Sequence, residues 1–178
     1  MPILYLLKKL IKLLQSNISP NELAGGVVIG MFIGLTPFFS LINVIALIFA
    51  IILNVNFASV MFAIPVFSLI GLVTDFFADK IGYLLLVKIE SLTPFWTKLY
   101  NMPIVPFTKF YNTVVLGNLV ISIFIAIPVF LITKKLVVLY RTTLYQKIQN
   151  SKIYKWYKKL WIVNTLQNLY NKIMFFKQ

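Results

Sequence analysis

Residues 23–74 read LAGGVVIGMFIGLTPFFSLINVIALIFAIILNVNFASVMFAIPVFSLIGLVT, 52 residues without a charged side chain. As one straight helix this block would run about 78 Å at 1.5 Å per residue. A bilayer's hydrocarbon core is only about 30 Å thick, so the chain must turn inside the block. Thr36-Pro37 marks the first turn, because proline pushes the preceding residue out of the helical region and brings no amide hydrogen. Asn54-Val55-Asn56 is the next polar point, and Pro65 interrupts the third apolar run. The expected segments are 20–35, 38–53 and 57–74. The first two fall short of the ~20 residues that a full span wants. They read as a re-entrant or tightly packed helical hairpin with Thr36, Pro37 and Pro65 as breakers. Backbone at such a tip persists only where protein or water covers it, so other helices or a second subunit should enclose it.

Working outward, Ser19-Pro20-Asn21-Glu22 is a helix start. Ser19 is placed to cap, Pro20 suits the first helical position, and Glu22 completes a capping box. Gly26, Gly30 and Gly34 then repeat every fourth residue. Small residues along one face let another backbone approach closely, either within this chain or in a partner's transmembrane helix. Upstream, residues 1–18 form a basic apolar segment in which Lys8, Lys9 and Lys12 cluster. It reads as an amphipathic helix lying on the membrane. A signal peptide is the rival reading, but no small-residue cleavage site follows.

Downstream, Asp75, Asp79 and Lys80 arrive at helical spacing, and the hairpin domain is expected to cover 19–87. Residues 88–109 mix charge with Pro94, Pro103 and Pro106 and with Phe95, Trp96 and Tyr100. Such rings settle at the membrane–water boundary. Residues 110–133 lack charge and form the clearest single span, stopped by Lys134-Lys135. The tail, 134–178, repeats apolar residues at three- and four-residue steps (Ile153, Trp156, Leu160, Val163) with lysines on much of the other face. That pattern is an amphipathic helix, suited to a membrane surface or to a partner helix. Lys152, Lys155, Trp156, Lys158, Lys159 and Trp161, with the three N-terminal lysines, are the candidate contacts to anionic lipid headgroups.

The whole chain agrees with a membrane class. It has 178 residues, 60% of them hydrophobic and 12% charged, against about 25% charged in soluble domains. Cysteine and histidine are absent, which excludes thiolate or imidazole metal sites, cysteine nucleophiles and Ser-His-Asp hydrolysis. No cofactor or metal is expected. The net charge of +13 is read as lysines flanking apolar spans on the cytoplasmic side, not as nucleic-acid binding. Ten cations follow residue 133. If residues 23–53 crossed the membrane once, that tail would lie outside, against the positive-inside tendency. A hairpin entering and leaving on one side puts both termini in the cytoplasm and 88–109 outside.

The stretch from Ser19 to Gly82 resembles a family of small bacterial inner-membrane proteins of unknown function. The residues carrying the resemblance are Ser19-Pro20, the Ala24–Gly34 run ending in Phe32-Ile33-Gly34, Pro37-Phe38, Leu53-Asn54-Val55-Asn56 and Ile81-Gly82. The family often has Asn-Pro after the second helix, where this chain has Ile64-Pro65. The rest looks like a longer variant with an extra span and a basic tail. The resemblance implies an inner-membrane protein, sometimes fused to or encoded near envelope glycan or lipid enzymes, and implies no known reaction. The longer variant resembles those found beside a large envelope protein.

Asp75 and Asp79 share a helix face beside Lys80. They can carry a proton, but the plainer reading is that they mark the end of a span. An all-α integral membrane protein is therefore expected, without catalytic residues. The leading function is a non-catalytic subunit that docks a larger envelope protein through the hairpin and glycine face, in lipid or glycan transport or assembly. Self-association is the other use of that face. The alternative is a small transporter or channel acting through the broken helices.

Overall fold

A computed structural model describes residues 18–144, which are helical throughout apart from short connections. The expected surface helices, with Lys8, Lys9, Lys12, Lys152, Lys155, Trp156, Lys158, Lys159 and Trp161, lie outside the described residues. The chain divides into two compact units, Met1–Val137 and Val138–Gln178. In the second, the described residues form a wide turn, Tyr140–Leu144, in which the Thr142 hydroxyl donates to the Val138 carbonyl at 3.0 Å.

Five α-helices are described: α1 Pro20–Leu35, α2 Leu41–Ile52, α3 Phe57–Tyr83, α4 Thr93–Tyr100 and α5 Thr113–Leu139. Local chemistry accounts for the first boundaries. Ser19 caps α1, its hydroxyl accepting from the Asn21 amide at 3.2 Å with Pro20 in the first turn. The expected box differs here: Ser19 bonds to Asn21, not to Glu22. Thr36 is extended (φ −112°, ψ 157°) and ends α1, as the following proline requires. The next segment starts at Leu41 instead of 38, because Ser40 accepts from the Ile42 amide and holds Phe38 and Phe39 in the turn. After α2 the chain reverses through Asn54, whose φ of 49° is a conformation asparagine tolerates. Asn56 then caps α3 through its side-chain oxygen and the Ser59 amide, 3.0 Å.

Two boundaries differ from the sequence expectation. Pro65 does not break the third segment: α3 runs through it to Tyr83, past Asp75 and Asp79. One proline removes one hydrogen bond and bends a helix. Pro65 and Met61 are on the exposed side of α3, while Val60 and Ala63 pack inward against α1, so contacts on the other face hold the two halves in line. Likewise Lys134-Lys135 does not stop α5, which continues to Leu139. Charge ends an apolar stretch without ending a helix.

The numbers at the α1–α3 contact rise together: Gly26 meets Ser59, Gly30 meets Ala63 and Gly34 meets Phe67. The two helices therefore run parallel, with α2 as the return. The Asn56 amide donates to the Glu22 carbonyl at 3.1 Å, which fixes the start of α3 beside the start of α1. The core between the first three helices is Ile29, Ile33, Ala46, Ala50 and Val60, flanked by Phe32, Val55 and Ile64. Around this core the apolar surface faces outward. Two helical stretches, Phe57–Lys88 and Thr113–Thr143, are long and apolar enough to cross a membrane, and only 22% and 28% of their apolar windows are buried. A core helix of a soluble domain would be mostly covered.

Candidate functional site: the hairpin tip and its polar cavity

The tip is organised by Asn43. Its side-chain amide donates to the carbonyls of Pro37 (2.9 Å) and Phe38 (3.0 Å). Its oxygen accepts from the Thr36 hydroxyl at 2.5 Å, which also lies 2.8 Å from the Phe32 carbonyl. Both side chains are buried. Ser40 ties the tip to the long connection by donating to the Thr108 carbonyl at 3.0 Å. The Pro37 and Phe38 carbonyls at the tip are thus satisfied from inside the chain, part of the cover that an apolar surrounding demands. Removing the amide in Asn43→Ala leaves the Pro37 and Phe38 carbonyls without their donor, at about 1–3 kcal/mol for each buried group left unpaired, while the Thr36 hydroxyl keeps the Phe32 carbonyl. The variant is expected to melt several degrees lower in detergent, whereas Asn21→Ala at the exposed start of α1 stays within 1–2 °C.

The glycine stripe is occupied. A Cβ on Gly30 would lie 2.6 Å from the Val60 carbonyl oxygen and 2.5 Å from the Ala63 Cβ, and one on Gly34 would lie 2.6 Å from the Ile64 carbonyl oxygen. Gly26 meets Asn56 and Ser59 in the same way. Close packing within the chain uses the whole face, so a partner's helix would have to dock elsewhere.

A second crossing, missed from sequence, joins α3 to α5. Gly82 lies against the Thr113 backbone and Gly117 against the Ala78 backbone, each closer than any side chain would allow. Ala78-x3-Gly82 and Thr113-x3-Gly117 are reciprocal small-residue pairs, and that spacing was the available signal. The numbers run in opposite directions, so α5 is antiparallel to α3. Polar contacts follow the same line. The Thr113 hydroxyl donates to Asp79 Oδ1, and Asn118 Nδ2 donates to Asp75 Oδ1 at 2.7 Å.

Between the tip and this crossing lies a cavity of about 360 Å³. Its polar lining is Thr36, Ser68, Asp75, Asn112 and Asn118, and Leu35, Pro37, Val114 and Val115 supply apolar wall. Gly34 and Gly71 leave room for it. Thr36 and Pro37 are therefore placed at the site, while Pro65 is not among its lining residues. Asn118 is 1% exposed, and its Oδ1 has no hydrogen-bond partner. One turn further along α5, the fully buried Ser122 Oγ is also unpartnered. Buried polar atoms without partners are uncommon in folded proteins and call for a reason.

Among the described residues, these features define an all-helical fold with two helices long and apolar enough to cross a membrane and a polar cavity at the end of a short broken helix. A family model described as "Uncharacterized protein conserved in bacteria (DUF2062)" matches residues 5–145, and the chain belongs to that family. The match reaches well past Gly82 and includes the connection and all of α5, so α5 is part of the family's body and not an addition to it. An "Uncharacterized protein" of Treponema pallidum (strain Nichols) is 26% identical over 145 residues, covering 82% of this chain and 89% of the relative. No solved structure matches the chain.

Proposed function

We propose that this is a multi-pass protein of the bacterial cytoplasmic membrane that passes a small polar solute, or the polar end of a lipid, through the cavity at the hairpin tip. One observation carries the reading: the end of a broken helix, an acidic side chain and a cavity coincide where α1, α3 and α5 meet. Transporters build their sites from interrupted helices in this manner. In the layout that goes with it, α1 enters and α2 leaves on the cytoplasmic side, both termini are cytoplasmic and residues 88–109 lie outside. Lysines beyond the apolar part of α5 favour that orientation. No enzymatic step is part of the reading.

A second reading keeps the protein as a non-catalytic subunit supporting a larger envelope protein in lipid or glycan transport. It is favoured by α2, whose outer face exposes Val44, Ile48, Phe49 and Ile52 on a 12-residue helix. At ~18 Å, α2 is too short to match a ~30 Å hydrocarbon core, and a partner's helix lying along it would cover the mismatch.

Full-length protein in liposomes separates the two. Faster solute-driven volume recovery, or faster leaflet exchange of headgroup-labelled lipid, than in protein-free liposomes is the expected result. Rates equal to the control, together with a large envelope protein co-purifying from gently solubilised membranes, would replace the first reading by the second. Cysteines introduced singly near residues 3, 100 and 176 report the layout: only position 100 is expected to react with an impermeant thiol reagent on intact cells whose outer barrier is opened.

A further inference from the structure

Asn112 offers the cavity a donor, its Oδ1 being taken by the Val115 amide at 3.2 Å, and the groups around Asp75 offer acceptors. Asp75 brings a carboxyl group, and its contact with Asn118 is to a neutral amide, which adds no counter-charge. Because that amide donates through Nδ2, Asn118 Oδ1 is an acceptor, and it is buried and unpartnered. The α1 terminus facing the cavity, Gly34–Thr36, is the carbonyl end of a 16-residue helix, which carries partial negative charge. Its Gly34 carbonyl already accepts from Ser68 Oγ at 3.1 Å, and its Phe32 and Ile33 carbonyls lie 2.8 Å and 3.4 Å from Thr36 Oγ1. Carboxylate, amide oxygen and helix C-terminus all favour a cation that donates hydrogen bonds.

Volume narrows the class. One water needs only about 10–15 Å³ of such space, a small part of 360 Å³. The cavity also has apolar wall from Leu35, Pro37 and Val115. An ion alone would leave that wall facing empty or water-filled space. A primary ammonium on a short organic body meets both halves: its three N–H groups face Asp75 and Asn118, and its carbons face the apolar side.

We propose that the cavity binds a primary ammonium group, either of a free small amine or of an aminolipid headgroup. This deepens the solute-or-headgroup reading above and rests on it. Binding is through ionic hydrogen bonds alone, with no covalent step. Ser122, one turn along α5 from Asn118, is a second oxygen on the same helix face.

The test uses the full-length protein in nanodiscs, with ethanolamine as the soluble probe and phosphatidylethanolamine as the lipid probe. Choline and phosphatidylcholine are the controls, since three methyl groups replace the N–H donors without removing the charge. Saturable binding of ethanolamine at least tenfold tighter than choline is the expected result if the source is a free amine. Thermal stabilisation by phosphatidylethanolamine nanodiscs over phosphatidylcholine nanodiscs, without ethanolamine binding, assigns the site to a headgroup. Asp75→Asn is expected to abolish either signal. Gly71→Val guards against a variant that merely unfolds: a Cβ at Gly71 would sit 3.6 Å from Leu35 Cδ2 and 4.0 Å from Asp75 Oδ1, ordinary contact distances, and the two valine methyls are expected to occupy the cavity that Gly71 lines. It should keep the melting temperature and lose binding. Equal responses to methylated and unmethylated probes, or binding that survives in folded Gly71→Val, would overturn the assignment. Transport in liposomes that persists while the ammonium preference fails would sink this inference alone and leave the broader reading standing.

Discussion

Gly117→Leu is expected to abolish the folded protein. A side chain there would enter the backbone of Ala78, and Gly82 meets the Thr113 backbone in the reciprocal contact. Backbone inside two packed helices cannot step aside as a flexible side chain can, so α5 must move away from α3. That movement also separates Asn118 from Asp75 and Thr113 from Asp79. Losses beyond about 4–5 kcal/mol are exceptional for one residue and come from mechanisms of this kind. In detergent the variant should give no monodisperse peak in fluorescence-detected size exclusion. Gly71→Ala on α3 meets only ordinary van der Waals distances, and it should elute and melt as the unsubstituted protein does. A well-folded Gly117→Leu would show that the α3–α5 crossing is wrongly described.

Gly30→Leu comes second and tests the use of the glycine stripe. The Val60 carbonyl oxygen and Ala63 Cβ stand where the new side chain would begin, and the contact lies in the middle of the α1–α3 interface. Overpacking of a well-filled core costs about 1–3 kcal/mol, and more where backbone is the obstacle. The variant should melt well below the unsubstituted protein, with no partner present. Gly25→Ala is the comparison: its nearest neighbour is the Val55 Cγ1 at 2.8 Å, the end of a side chain, so a smaller loss is expected. A Gly30→Leu protein that folds alone but loses a co-purifying protein would return the stripe to a docking role.

The parts of the fold legible in the sequence are those set by neighbours along the chain. Ser19-Pro20, Thr36-Pro37 and Asn54-Val55-Asn56 act on backbone geometry within a few residues: α1 starts at the first and ends at the second, and the chain reverses at the third. The periodic glycines were legible as a close-packing face, but the identity of the helix filling it was not, because spacing on one helix says nothing about its neighbour. Pro65 misled for a related reason. Its local effect is unfavourable, and tertiary contacts along Val60 and Ala63 outweigh it.

The sequence by itself determined the composition on which a membrane reading rests: charge is scarce, apolar length is great, and the uncharged block is too long for one span. It also determined where the chain turns. Only the tertiary structure decided that α1 and α3 lie parallel, that Ala78 and Gly82 interlock with Thr113 and Gly117, and that Asp75 meets Asn118 across 43 positions. Those pairings depend on which faces two distant helices can bring into register, a property of shape that no local run of residues encodes.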